Sequence, residues 1–502
     1  MRNPGAARAT SADNGPIGPS SRINLELLRP ASLRKRLWQA AGLLVLLLAT
    51  LVVGNLFVDE QRAVTARLLG HDFLAFYAAG TFVRTGQIDR LYDLNAVRAI
   101  EHQVAQLNGL ELGGAFGPYW NPPWYAWMLW PLSALPYRVA LGVWTGINLI
   151  CLAIALLLLV RMLPAVVARP PGAWRTGPDP IPLRFGRDWR NWLLVPLLVI
   201  CSMPFIQAIT HGQNTCISLL LLTLTVTAWR ARRPLAAGLV CGLMLYKPQL
   251  VAVLAGVLVL NLGLRALIGI GLIATATLIA TQLLLPAALD DYLYRLPLNL
   301  AAVQVDQAYP WERHVTLQAF WRLLYQGRGA GQPSGVVSLM SLLSAMLLGA
   351  GLLTACWRSG ADHADDCWTG ETAARRRDRL ICATILTTPL LMPFYFDYDL
   401  LLLSAAAVLL AGELLSRPDG ARYEPTQRLL IGTWIGLYGW LMVNAPLAAA
   451  SGINLTVLLL GTISGLTIWR ACRAGVSTGG LAIPSPVLDR PGRQYVIVRR
   501  AA

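Results

Sequence analysis

Residues 38–58 and 139–160 each run for about twenty positions without a charged side chain, the length of helix that crosses about 30 Å of hydrocarbon. Further apolar runs lie near 192–210, 214–230, 234–247, 248–264, 266–286, 335–357, 380–394, 399–416, 428–446 and 452–470. Only 14% of the chain is charged and 55% is hydrophobic, whereas a soluble domain carries roughly 25% charged residues. Apolar surface on that scale needs lipid. The runs lack the period-two alternation of a membrane β-barrel, so the expected fold is an all-α integral membrane protein with about twelve transmembrane helices.

A net charge of +16 raises nucleic acid as a partner, but the basic residues sit in short clusters between apolar spans and all but Lys35 and Lys247 are Arg. That distribution is a topology signal, and no nucleic-acid partner is expected. With a cytoplasmic N-terminus, the inner loops hold Arg161, Arg169, Arg175, Arg184, Arg187 and Arg190, then Arg230, Arg232 and Arg233, then Arg375–Arg377, then Arg417, Arg422 and Arg428. Each turn satisfies the positive-inside rule. Two long outer loops, 59–138 and 287–334, balance their charges, with seven acidic residues against five Arg over 59–121. Connections of this length are usually functional. Within the first, 122–135 is apolar, Pro-punctuated and too short to span comfortably, so it reads as a re-entrant or interfacial helix.

The organisation expected is a disordered cytoplasmic tail over 1–37 that leads into an uncleaved signal anchor, a membrane domain over 38–471, and a cytoplasmic tail over 472–502. Both termini are then cytoplasmic and the chemistry faces the other side. The eight cysteines form no CxxC pair, and only His363 lies near Cys367 as a co-ligand, so they read as packing residues.

Polar residues on the outer side come from five stretches: His71-Asp72, Gln213-Asn214, Lys247, Arg313-His314, and Asp397 with Asp399. Ionisable groups near span ends on one face are costly to place by chance, so a shared site is the working expectation. Asp72 opens a helical pattern in which Phe73, Phe76, Tyr77 and Gly80 share one side. It reads either as a helix N-cap or as a general base, on an amphipathic helix lying on the membrane. Lys247 precedes Pro248 between two spans and either snorkels to headgroups or holds a phosphate. Asp397-Tyr398-Asp399 could be a two-carboxylate metal element or a polar gate at a span junction, and Arg313-His314 could be plain surface charge. His71 and His102 carry no signal of their own. Trp120, Trp124 and Tyr125 suit either sugar stacking or an interfacial aromatic belt.

The His-Asp-Phe element, Asn121-Pro122-Pro123, Trp144-Thr145-Gly146-Ile147-Asn148, Gly212-Gln213-Asn214, Leu245-Tyr246-Lys247-Pro248-Gln249 and Phe396-Asp397-Tyr398-Asp399 occur in an order that resembles glycosyltransferase family 87, over roughly 38–420. The resemblance implies the multi-span C-type glycosyltransferase fold. It also implies a hexosyltransferase, in particular a polyprenol-phosphate-mannose-dependent α-mannosyltransferase, in a bacterial inner membrane. On that basis Asp72 matches the catalytic Asp, and Lys247, Arg313 and His314 hold the donor phosphate. Tyr77, Gln213, Asn214, Asp397 and Asp399 contact substrate. The expected partners are a polyprenyl-phosphate sugar, a lipid-linked or envelope glycan acceptor and membrane lipids, with no cofactor and no metal. The alternative, a transporter or flippase of a lipid-linked glycan, would keep ionisable residues at span centres, which here hold almost none.

Overall fold

The computed structural model describes residues 30–58, 68–112, 116–163, 189–306, 309–361, 370–415 and 423–473. The terminal tails, most of the basic loop at 161–191, and Cys367 lie outside them. Among the described residues every regular element is helical, because long apolar segments can satisfy their backbone groups in lipid only within themselves.

The helices in chain order are α1 (Pro30–Val58), α2 (His71–Arg84), α3 (Leu94–Leu107), α4 (Pro123–Ser133), α5 (Tyr137–Met162), α6 (Trp189–Ile200) and α7 (Met203–His211). Then come α8 (Thr215–Arg230), α9 (Pro234–Leu243), α10 (Pro248–Leu262), α11 (Leu264–Leu284), α12 (Pro286–Asp306) and α13 (Leu317–Gln326). The last six are α14 (Gly335–Ala361), α15 (Gly370–Leu391), α16 (Leu403–Leu415), α17 (Pro425–Trp440), α18 (Asn444–Ser451) and α19 (Leu455–Arg473).

A helix stands wherever the sequence places a span. By length and composition, however, four of the described helices can cross a membrane alone (α5, α11, α14 and α19), and up to six spans result if the bent pairs α6–α7 and α17–α18 each count as one. The expected count of about twelve is not reached by that test; α8, α9 and α10 are apolar but shorter than a bilayer is thick, and α1, α15 and α16 are not among the helices that pass. In α11 and α14 only 11% of the apolar window is buried inside the protein, so most of their surface is left for lipid.

Two cores follow. The larger is aliphatic and joins α5 and α8–α10 to α15, α16 and α19 through residues such as Leu219, Leu258, Leu386 and Leu460. The smaller is aromatic and packs α2–α5 together through Phe73, Phe76, Phe82, Tyr92, Tyr125 and Trp144. It corrects the expectation that α2 lies on the membrane surface. Phe73, Phe76 and Gly80 all face protein, and a side-chain carbon at Gly80 would come within 2.7 Å of the Leu129 carbonyl on α4. Helix α4 has 11 residues, a rise of about 16 Å, roughly half the hydrocarbon thickness. It exposes Trp127, Met128 and Trp130 on the side away from α2.

Candidate active site

The site is built where helices break, and the sequence specifies each break. Gly70 (φ 76°) precedes α2 and Gly212 (φ 71°) ends α7, both in the left-handed region that glycine enters without strain. A side-chain carbon at Gly212 would meet Phe73 Cβ at 2.8 Å and Gly70 Cα at 3.1 Å, so the two breaks touch. Gly70 N–H donates to the Thr210 carbonyl at 2.8 Å and the Trp144 indole donates to the Gly212 carbonyl at 2.8 Å. Lys247 stands before Pro248, which disfavours helical geometry in the residue preceding it. Its backbone (φ −130°, ψ 78°) duly separates the turn at Met244–Tyr246 from α10. Asp397 and Asp399 lie in the 3-10 turn Asp397–Leu402 ahead of α16. That turn is held to the stretch after Trp311–Arg313 by an isolated antiparallel bridge between His314 and Phe396 and by the Val315 N–H to Tyr395 carbonyl bond at 2.9 Å.

These breaks bring most of the expected residues into one network. Gln213 is its hub. Its amide nitrogen donates to Asp72 Oδ2 at 2.7 Å and to the Tyr398 hydroxyl at 3.1 Å, while its amide oxygen accepts from Lys247 Nζ at 3.3 Å. Lys247 pairs with Asp399 at 3.2 Å, and Thr215 donates to the same carboxylate oxygen at 3.0 Å. Arg313 grips Asp397 with both arms, at 2.9 and 3.2 Å, and Gln207 donates to that carboxylate at 3.0 Å. Asp397 and Asp399, the pair that suggested a metal element, are therefore each matched to a cation.

Asp72 is not a helix cap, since the N-cap position falls on Gly70. Its carboxylate lies 3.1 Å from His71 Nδ1 and 3.4 Å from His211 Nδ1, and the side chain is 22% exposed. Burial would raise this acid. Hydrogen bonds and charge from His211 and His71 outweigh it and hold the carboxyl well below its usual range.

Three of the sequence candidates fall elsewhere. The Tyr77 hydroxyl donates to the Leu135 carbonyl at 2.8 Å and its ring packs on Tyr137, because five positions along a helix turn it about 140° away from the face that carries Asp72. Asn214 is fully buried and donates to the Tyr125 hydroxyl at 2.9 Å. His314 is 1% exposed, with its ring 4.0 Å from that of Phe396. Burial pushes its pKa down to about 3, so it is neutral at pH 7 and adds no positive charge. Arg313 is opposite in character. Burial disfavours its charge, but the Asp397 carboxylate more than compensates and raises its pKa.

His211 and Tyr398 join the candidate site, and sequence reasoning did not single them out. His211 sits at the end of an apolar segment, and its one signal is adjacency to the Gly212-Gln213-Asn214 break.

The described residues form a helical protein with membrane-capable helices and a carboxylate held between two imidazoles and joined through Gln213 to a lysine. The sequence pattern of glycosyltransferase family 87 matches residues 119–369, half of the chain. The protein belongs to glycosyltransferase family 87. No curated protein and no solved structure matches it.

Proposed function

We propose that this glycosyltransferase moves a sugar, mannose by family resemblance, from a polyprenyl monophosphate to a hydroxyl of a lipid-linked or envelope glycan. The reaction inverts the anomeric carbon and takes place on the non-cytoplasmic face of a bacterial inner membrane. The observation that carries this reading is Gln213, which joins an ionised, half-open carboxylate to a buried ammonium.

Asp72 accepts the proton of the attacking hydroxyl, a role worth about 10²–10⁴-fold when the carboxylate lies within about 3 Å of it. The donor phosphate engages Lys247 and Arg313, taking the place of Asp399 and Asp397 on them, and these cations stabilise the departing monoester. The exchange keeps each cation compensated before and after donor binding, which limits the penalty for a charge removed from water. His314 supports the Arg313 turn through packing rather than charge.

The transporter alternative asks for ionisable groups at span centres. Here Thr215 is the first residue of α8, Asp397–Leu402 precedes α16, and Asn454, which donates to the His314 carbonyl at 2.9 Å, precedes α19. The polar cluster thus gathers at helix ends rather than inside continuous helices. Incubation of the purified protein with radiolabelled polyprenyl-phosphate sugars and a membrane lipid extract tests the reading. A labelled lipid or glycan product is expected. Donor movement across vesicles without any product would favour transport.

A further inference from the structure

Two buried polar groups beside the network have bonding capacity left over. Glu101 on α3 is 2% exposed; Oε2 accepts from the Gly117 N–H at 3.3 Å, and Oε1 has no hydrogen-bond partner among the described residues. It lies apart from the cations, since Lys247 and Arg313 bond to Gln213, Asp399 and Asp397 instead.

The second group is the Tyr398 hydroxyl, and its surplus is a hydrogen. Bonds around the Gln213 amide fix which atom donates. Lys247 can only donate, so it meets the amide oxygen, and an ionised Asp72 can only accept, so it meets the nitrogen. The same nitrogen reaches the Tyr398 hydroxyl at 3.1 Å, which makes the phenol oxygen the acceptor there. Its own hydrogen is directed elsewhere, and among the described residues no acceptor meets it. A buried donor without a partner costs folding free energy.

The ring that carries this hydroxyl is fixed. Tyr398 is 6% exposed, Phe396 stacks on it with centroids 5.2 Å apart and 11° between the planes, and the Tyr398 N–H donates to Asp397 Oδ1 at 3.0 Å. Lys247 Nζ lies 5.4 Å from the ring centroid and the Arg313 guanidinium carbon 5.9 Å from it. Three donors, two charged and one neutral, therefore border one place, and carboxylates engage only the charged two. An anion seated on both cations lies beside the hydroxyl.

We propose that Tyr398 is a catalytic residue that donates its hydroxyl hydrogen to the donor phosphate, while Gln213 ties the same hydroxyl to Asp72. The inference rests on the reading of the site as a polyprenyl-phosphate glycosyltransferase. As the acceptor oxygen bonds to the anomeric carbon, the bond from that carbon to the phosphate oxygen breaks and its electron pair leaves on the phosphate. The acceptor's proton goes to Asp72. Tyr398 keeps its own proton throughout, and its hydrogen bond strengthens as charge gathers on the departing oxygen. Base and phosphate ligand are held by the two hydrogens of one amide, so a single side chain sets their separation.

The test measures binding of polyprenyl phosphate without sugar, and transfer from polyprenyl-phosphate sugar with lipid extract, for the purified full chain. Tyr398→Phe removes the hydroxyl and keeps the ring. It should lower affinity for polyprenyl phosphate by about tenfold or more, the effect of losing a hydrogen bond to a charged group, and lower kcat as well. Unchanged affinity overturns the proposal. A ring-fluorinated tyrosine at position 398 carries the test if Tyr398→Phe does not fold, because fluorine makes the hydroxyl a stronger donor and a weaker acceptor. Polyprenyl phosphate should then bind tighter. Equal or weaker binding marks a hydroxyl that only accepts from Gln213 and overturns the proposal. The two readings fail differently. A wild-type chain that binds no polyprenyl phosphate refutes the transferase reading together with the inference, whereas one that binds and transfers, with Tyr398→Phe at full affinity, refutes the role of Tyr398 alone.

Discussion

Both ends of α8 lie beside carboxylates paired with cations, and the two ends use that pairing differently. At the C-terminal end Arg230 holds Asp378 of α15 with two bonds of 3.0 and 3.1 Å, and nearby Arg379 and Arg470 share Glu413, so α15, α16 and α19 are pinned together. Every carboxylate there is met by arginine, a fork that stays protonated at any physiological pH. At the N-terminal end Thr215 binds Asp399, and the network beyond it adds two histidines, a glutamine and the buried lysine. Both ends are paired, yet only the second contains groups that gain and lose protons near neutrality. Ion pairing holds helix ends, and the choice of partner decides whether chemistry is available too.

The largest test of that contrast exchanges one carboxylate at each end. Asp72→Asn should lower transfer by at least about a hundredfold with donor binding largely kept. Glu413→Gln should keep transfer within a few-fold and lower the unfolding temperature in detergent, since two arginines then face each other without compensation. Comparable losses of transfer in both variants would erase the distinction.

Next in size is the buried Lys247–Asp399 pair. Asp399→Asn alone strands an ammonium and should destabilise the fold by about 3 kcal/mol. The double change Lys247→Met with Asp399→Asn should recover most of that stability and still fail to bind donor, as measured by retention of labelled polyprenyl-phosphate sugar. Donor binding regained in the double variant would make the pair a helix clamp like those at the other end.

Glu101 gives a smaller effect with a defined sign. Its folded-state pKa is raised from 4.5 to about 8, so between those values the unfolded chain gives up a proton that the folded chain keeps. Stability then falls as pH rises, by about 1 kcal/mol per pH unit, and Glu101→Gln should flatten that slope. Tyr77→Phe should change transfer less than about twofold and stability by about 1 kcal/mol, since the hydroxyl serves only the Leu135 carbonyl. Exhaustive chelation should leave transfer intact. Loss with rescue by a divalent ion would instead make Asp397 and Asp399 ligands.

The sequence disclosed this site to the extent that helix breaks are local. Asp72, Gln213, Lys247, Arg313, Asp397 and Asp399 are the polar residues beside breaks written in glycine, proline and apolar-run boundaries, and they converge because those breaks share one end of the bundle. Burial was not legible in the same way. Glu101 belongs to a helix whose polar face would be solvated if α3 stood alone, and the packing of α2 and the segment at Gly117 encloses it. His314 looked like a cation because its neighbours are charged; the Phe396 bridge that strips its charge joins segments about eighty residues apart. Tyr77 shares a sequence pattern with Phe73 but not the direction of Asp72, and a five-residue step along a helix was enough to separate it from that carboxylate.

Lysine is so scarce here that the chain carries its own reporter. Lys35 is exposed on α1, Lys247 is 6% exposed in the site, and the sequence holds no third. An amine-reactive reagent would mark Lys35 at once and Lys247 only in those moments when Asp399 releases it. The ratio of the two adducts in a mass spectrum would therefore time the opening of the site, with the exposed lysine as internal clock and no residue substituted.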